Sequence, residues 1–433
     1  MRLAHLSDTH LGYEAYRAVS ANGENQRGVD IARAFVRVCD DIREWDPPLV
    51  VHSGDLAERP SVSVRLILLA RQHIRKLASI RPDGTRRQVV IIAGNHDLPA
   101  QRREACYLEL FRDIPGVHIV CDNYTRIEFS GDDIPDELRN VDIHAIPHDA
   151  LKDMAFEKTF DEVQPTPGKL SVLVAHGVAG GSGLYRRVLG REFSIPTDVL
   201  VRDWAYGALG HWHRQGPVGV AGAASSCWYA GSSENMGFGD LLDNGSQRGY
   251  LRVTIEPSTS PQVTPLNLPI RQLFRLPAID GAGKTPEEIE TALRNNIEAA
   301  QKKGELAGAV VGQNVQNTPR EIWALVDATK LRALAMSNAL HYEISVIPVP
   351  RVTNDEQVVP SRGGDDVMRV LQERSKLIVN DRERQGAVRV AEEMLKRHLV
   401  HTVSESDAGD DSGVLVLPGM DISSKTTDNE VQS

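Results

Sequence analysis

Five short apolar runs in this chain end in the same unusual way, and that repetition constrains the fold more than any other feature. LAHLS (3–7) leads into Asp8-Thr9-His10, and LVVHS (49–53) into Gly54-Asp55. VVIIA (89–93) leads into Gly94-Asn95-His96-Asp97, SVLVA (171–175) into His176-Gly177, and YGALG (206–210) into His211-Trp212-His213. Runs of four or five small or branched apolar residues fit strands covered on both faces. A turn after such a strand needs one hydrogen-bonding side chain; Asn95, His96 and Asp97 supply three in a row. In open α/β sheets, sites form beyond the carboxyl ends of the strands, so the five endings are expected to converge.

Between these runs lie segments of helical period, such as SVRLILLARQHIRKLA (63–78), so the class is α/β. VDIHAI (141–146) reads as a further strand, and RGYLRVTI (248–255) with the run near Val263 reads as an edge hairpin closing a first domain over 1–270. The Pro, Ser and Thr of 253–269 mark its boundary. A second, small unit spans 271–350. It holds a helix over 285–306 with Thr285 as N-cap and Pro286 in its first turn, and strands in REIWALVDA (320–328) and HYEISVIPV (341–349). GAGKT (281–285) is this helix start and not a phosphate-binding loop, because Ala278 stands where that loop needs glycine. From 351 to 433 the pattern is helical, then turns into an acidic tail from about 401.

The net charge of −10 argues against a nucleic-acid partner until its distribution is considered. Residues 401–433 carry seven acids against Lys425, whereas 59–103 carry ten Lys or Arg against Asp83 and Asp97. That basic stretch contains the GNHD run and is expected to steer a polyanion. No run approaches the ~20 apolar residues of a membrane span. MRLAHLSDTHLG has no signal-peptide pattern, and the sequence reads as beginning with its first strand. Four scattered cysteines (Cys39, Cys106, Cys121, Cys227) without a CxxC pair read as buried free thiols of a cytoplasmic protein.

Together the five endings offer two carboxylates, an amide and several imidazoles, an oxygen/nitrogen set suited to Mn, Fe or Zn. There are too many groups for one ion; two ions sharing a carboxylate would use them all. Two divalent cations about 3.5–4 Å apart can clamp a phosphoryl group for in-line attack by an activated water. Asp8 and Asp55 offset only part of their charge, so an anionic phosphodiester remains attractive to such a site.

The ordered set D-x-H, GD, GNHD, HG and GHxH resembles the signature of the calcineurin-like metallophosphoesterases over about 250 residues. Within that superfamily HLSDTHLG, VVHSGDLAERP, GHWH and YAGSSENMGFGD (229–240) are most similar to the SbcD-like nuclease subunits of double-strand-break repair complexes. The resemblance implies a two-sheet metallophosphoesterase sandwich flanked by helices, a small α+β capping domain and C-terminal helices. It implies that Asp8, His10, Asp55 and His213 bind one divalent ion and that Asp55, Asn95, His176 and His211 bind the other. Mn2+ is the expected ion, with Mg2+, Fe2+ or Zn2+ as alternatives. His96 would protonate the leaving oxygen or stabilise the transition state, and Asp97 would orient His96 through a hydrogen bond.

The resemblance further implies DNA as substrate, a homodimer, and an SMC-like ATPase partner with a coiled coil. Val367, Val370, Leu371, Val388, Leu395 and Leu399 on helices within 365–400 would dock that partner. Such a chain would act in the cytoplasm, on the nucleoid in a bacterium. Arg59, Arg102 and Arg103 are the candidate DNA contacts. The sequence departs from the family after GDL, where Ala57 and Glu58 replace an aromatic residue and a His or Asp. The His used by some members to move the phosphate is thus missing, which touches exonuclease action first. His52 reads as a packed strand residue, while His148 could line the site. Rival readings are a phosphodiesterase or phosphatase acting on small nucleotides, and a regulatory scaffold with a vestigial site.

Overall fold

Strands apolar on both faces form the centre of the molecule, as their composition requires. The computed structural model describes residues 1–99, 105–180, 193–219, 226–243, 248–257 and 259–347. One six-stranded sheet runs in the order Gln262–Asn267, Gly249–Thr254, Arg2–Leu6, Leu49–His52, Gln88–Ile92 and Val117–Val120. Its last four strands are parallel, and the first two form the expected antiparallel edge hairpin. A second six-stranded sheet runs Gly216–Pro217, Cys227–Tyr229, Tyr206–Gly210, Leu170–His176, Val141–Ile146 and Thr125–Glu128, with its middle four strands parallel.

Successive side chains of a strand face opposite sides, so each strand feeds two cores. Leu3, Leu49, Val51, Val90 and Ile92 point into the space between the sheets and meet Ile143, Val172, Val174, Tyr206 and Ala208. Their neighbours Ala4, Val50, Val89 and Ile91 face outward beneath Ile31, Phe35, Val38, Ile74 and Leu77. Those last residues belong to the helices Gln26–Trp45 and Val64–Leu77. Asn25 caps the first through the N–H groups of Arg27 and Gly28, and Ser63 caps the second. On the far side Leu173, Ala175 and Leu209 pack under Leu151 and Met154 of the helix His148–Glu157. The result is a helix–sheet–sheet–helix sandwich. Each fully buried aliphatic side chain contributes about 1.5–3 kcal/mol, so Ile92→Ala, between the sheets, would cost about 2–5 kcal/mol with its cavity.

The small α+β unit expected after residue 271 has three parallel strands, Leu273–Asp280, Val310–Gln316 and His341–Ile347. The helix Pro286–Lys302 starts at Thr285 with a reciprocal capping box to Glu288, as its sequence predicts. REIWALVDA is not a strand. Arg320–Trp323 is a helical turn, and Asp327 caps the next helix, Ala328–Met336, by accepting the N–H of Lys330. The adjacent pairs Ile322-Trp323 and Leu325-Val326 break the alternation a strand needs, and the cap decides the outcome.

The basic stretch also differs from expectation. Arg81 and Arg87 are buried and both pair with Asp46, Arg71 pairs with Asp113, and Arg86 with Asp133. The charges of Arg81 and Arg87 are spent inside the fold, while Arg59, Arg65, Arg75 and Lys76 stay exposed. Arg59 is exposed; Arg102, Arg103, the 365–400 helices with their apolar positions and the acidic tail lie outside the described residues.

Candidate metal centre

The carboxyl ends of three strands of the first sheet and two of the second meet at one place. His176 Nδ1, at the end of one sheet, lies 2.8 Å from the carbonyl of Ser53 at the end of the other. The N–H of His211 reaches the Asp8 carboxylate at 3.1 Å. Glycine permits this closeness. A Cβ on Gly54 would fall 2.2 Å from His176 Nδ1, and on Gly94 2.2 Å from Asp55 Oδ1. On Gly210 it would fall 2.1 Å from the Ser53 carbonyl. The glycines of GD, GNHD and GHxH are therefore required by packing. Asp8, His10, Asp55 and His211 have φ of 49°, 52°, 57° and 97°, a left-handed backbone that non-glycine residues adopt at a cost. Four such residues in one cluster are strain held in place by the surrounding sheets.

All seven candidate ligands come together. Donor atoms of Asp8, His10 and His213 lie within 4.8 Å of one another, as do those of Asp8, Asp55 and His176. His10 Nε2 and His213 Nε2 face each other at 3.2 Å, and Asp55 Oδ2 lies 3.3 Å from His176 Nε2. Asn95 Oδ1 sits 3.0 Å from His176 Nε2 and 3.1 Å from His211 Nδ1. Asp55 thus stands between a His10 side and a His176 side. Two imidazole nitrogens turned toward each other beside buried carboxylates are a donor set that fits divalent cations.

The charges of the cluster hold one another. Burial opposes ionisation of Asp55, but His176 and His10 outweigh it and keep its carboxyl far below the usual range. Burial likewise opposes charge on His176, yet the Asp55 carboxylate lifts that imidazole to about 9. His10 is raised in the same way, against burial, first by Glu58 and then by Asp55.

His96 is placed by two main-chain contacts. Its N–H donates to Asp55 Oδ1 at 2.8 Å, and its Nδ1 meets the carbonyl of Glu58 at 2.9 Å. The Asp97 carboxylate bonds other groups than the His96 ring, contrary to the expectation from the sequence. Asp97 is fully buried and accepts the N–H groups of Gly94 (2.9 Å), Ala57 (3.0 Å) and Leu56 (3.3 Å), and the Tyr107 hydroxyl at 2.6 Å. It ties the GNHD turn to the GDLAE turn; a carboxylate engaged with that many donors has turned away from its neighbour's ring.

Other residues support the cluster without having been singled out. Asp240 Oδ1 lies 3.4 Å from His213 Nδ1, and Arg248 reaches the His213 carbonyl, Ser232 Oγ (3.1 Å) and Asn235 Oδ1 (2.8 Å). Asp240 closes the YAGSSENMGFGD motif, which was a visible signal; Arg248 carried none. His52 is buried, as expected, and its Nε2 also holds Thr9 Oγ1 of the D-T-H turn at 2.9 Å. Burial keeps its imidazole near pKa 4. His148 packs edge-on beside His176, ring centres 6.2 Å apart, and burial holds it at about 4 as well. All four cysteines are buried.

The sandwich and the donor cluster at its strand ends define a phosphoesterase-type centre. Residues 1–214 match the calcineurin-like phosphoesterase family model, and this part of the chain belongs to that family. Among individual proteins, the chain is 24% identical over 249 residues to the DNA double-strand break repair protein Mre11 of Methanococcus maripaludis, covering 56% of this chain and 60% of that one. It is 24% identical to the Mre11 of Sulfolobus acidocaldarius, covering 70% and 73%, and 25% identical to the SbcD component of the SbcCD nuclease of Bacillus subtilis, covering 59% and 66%. The Mre11 protein of Methanocaldococcus jannaschii is matched over 40% of its length, so the chain spans between about two fifths and three fifths of several of these relatives. No helix among the described residues is long and apolar enough to cross a membrane.

Proposed function

We propose that this chain is a metal-dependent DNA nuclease that hydrolyses phosphodiester bonds at a dinuclear centre, acting in DNA repair. The observation that carries this reading is Asp55, whose carboxylate stands between the His10 side and the His176 side of the cluster. Asp8, His10 and His213 would hold one divalent ion with Asp55; Asn95, His176 and His211 would hold the other. Mn2+ suits this oxygen/nitrogen set, and Mg2+, Fe2+ or Zn2+ are its alternatives. When bound, the two ions supply the positive charge that neutralises the phosphate and activates water.

The chain's own residues do the rest. Asp55 fixes the His96 backbone, and the Glu58 carbonyl accepts the Nδ1 proton of His96, leaving Nε2 as the ring nitrogen able to hold or give a proton. An imidazole so placed would donate that proton to the leaving oxygen. Asp97 keeps the two loops in register without touching the proton. Residues 1–270 form the hydrolase domain in this reading, 271–350 a cap that narrows access, and 351–433 the segment for an SMC-like ATPase. The names of the relatives, double-strand break repair protein and nuclease subunit, favour DNA over small nucleotides; the homodimer and the SMC-like partner rest on the motif resemblance alone. Arg59, with Arg102 and Arg103, would meet the phosphate backbone.

The test is Mn2+-dependent cleavage of linear, circular single-stranded and hairpin DNA by the full chain, beside bis-p-nitrophenyl phosphate. DNA cleavage lost in both His96→Ala and Asp55→Ala supports the nuclease. Hydrolysis of the small diester with the DNA left intact would move the assignment to a nucleotide phosphodiesterase.

A further inference from the structure

Glu58 stands at the junction of three of the motifs. Its N–H donates to the Leu11 carbonyl at 3.0 Å, continuing a short parallel pairing in which Leu11 bonds Leu56 and His10 bonds Asp55. The preceding Ala57 is anchored to Asp97. With its backbone fixed on both sides, Glu58 turns its two oxygen-bearing groups to different histidines. The side-chain Oε2 lies 2.9 Å from His10 Nδ1, an ion-pair contact not aligned as a hydrogen bond, and the main-chain carbonyl accepts from His96 Nδ1 at 2.9 Å. The same Oε2 is 3.9 Å from His96 Nδ1, too far for a hydrogen bond. The Glu58 side chain is 22% exposed, against 3% for His10.

We propose that Glu58 is a positioning residue for the metal centre: its carboxylate holds His10 with Nε2 turned inward to the ligand cluster, and its carbonyl separately holds His96. This rests on the dinuclear reading above. The physical reason is general. A histidine that ligates a cation through one nitrogen donates its other N–H to an acceptor, which fixes the ring and makes the ligating nitrogen more basic. A carboxylate does this more strongly than a neutral acceptor and adds negative charge beside the cation. The position at which the resemblance expects a phosphate-moving His is therefore converted here into support for a ligand. Because the two contacts use different parts of the residue, substitution of the side chain separates them: the carboxylate is lost and the carbonyl stays.

The experiment is calorimetric titration of the full metal-free chain with Mn2+ alone, for wild type, Glu58→Gln and Glu58→Ala, paired with hydrolysis of bis-p-nitrophenyl phosphate across Mn2+ concentrations. The proposal expects two ions in wild type, and one of the two Kd values raised about 10- to 100-fold in the variants, more in Ala than in Gln. The Mn2+ concentration that gives half the maximal rate should rise with that Kd, while the rate at saturating Mn2+ falls by a smaller factor, since the carbonyl still holds His96. Unchanged affinities in both variants would overturn the proposal while leaving the dinuclear reading intact. A collapsed saturating rate with unchanged affinities would also overturn it, placing Glu58 on the substrate instead. A wild type that takes up no Mn2+ would remove both the proposal and the reading beneath it.

Discussion

Asp55 Oδ1 accepts the backbone N–H of His96 at 2.8 Å while its Oδ2 lies 3.3 Å from His176 Nε2. One carboxylate therefore joins the loop carrying the candidate proton donor to the ligand cluster. Asp55→Ala should remove both functions together. Its Mn2+-dependent hydrolysis is expected to fall by more than about 100-fold, beyond the loss typical of a residue that only supports a ligand. Rate measurements over a wide Mn2+ range check this; recovery to the wild-type rate at high Mn2+ would contradict it.

His96→Ala separates proton transfer from ion binding. Its rate should drop about 10²- to 10⁴-fold, the span of a positioned general acid, with Mn2+ affinity close to that of wild type. An equal loss of affinity would instead make His96 a ligand, which its proximity to His10 and Asp55 permits geometrically.

Gly94→Ala tests the packing. The added Cβ would meet Asp55 Oδ1 at 2.2 Å and the Asp55 nitrogen at 2.5 Å, and neither belongs to a flexible chain end. Overpacking of this kind costs about 1–3 kcal/mol, so the urea midpoint should fall and Mn2+ binding should weaken with it. A variant as stable and as tight-binding as wild type would mean that Asp55 has room to move.

The junction between the sandwich and the small sheet carries a pH prediction. Asp30 receives Arg27 at 2.9 Å and Arg271 at 2.7 Å, joining the Gln26–Trp45 helix to the segment that leads into the Leu273–Asp280 strand. Burial opposes charge on Asp30, but the bonds from Arg271 and Gln26 win and keep its pKa below the ordinary value. A lowered carboxylate stabilises the fold fully above the unfolded-state pKa, about 3.9, and loses that contribution as pH falls through the folded-state value. Asp30→Asn should therefore lower the stability at neutral pH, with the gap to wild type narrowing as pH falls below about 4. Denaturation midpoints from pH 7 to 2 read it, and a gap independent of pH would refute it.

The sequence carried most of the centre because the same physics that makes a strand also marks its end. Leu49–His52, Val141–Ile146 and Tyr206–Gly210 fall where their apolar runs lie, and each of the seven candidate ligands follows such a run. What stayed illegible depends on direction or distance in space. Nothing in GNHD reveals that Asp97 turns back to three backbone N–H groups while the Glu58 carbonyl takes the His96 ring. A charge count over 59–103 could not show Arg81 and Arg87 folded onto Asp46. Arg248 reaches His213 from 35 residues away, with no local pattern to announce it.

The central claim is that these strand ends hold two divalent ions, and metal content measures it most directly. The full chain, reconstituted with excess Mn2+ and freed of unbound ion, should retain two Mn2+ per chain by elemental analysis, and Asp55→Ala fewer than one. Wild-type content near zero, or the same content in both proteins, would contradict the account.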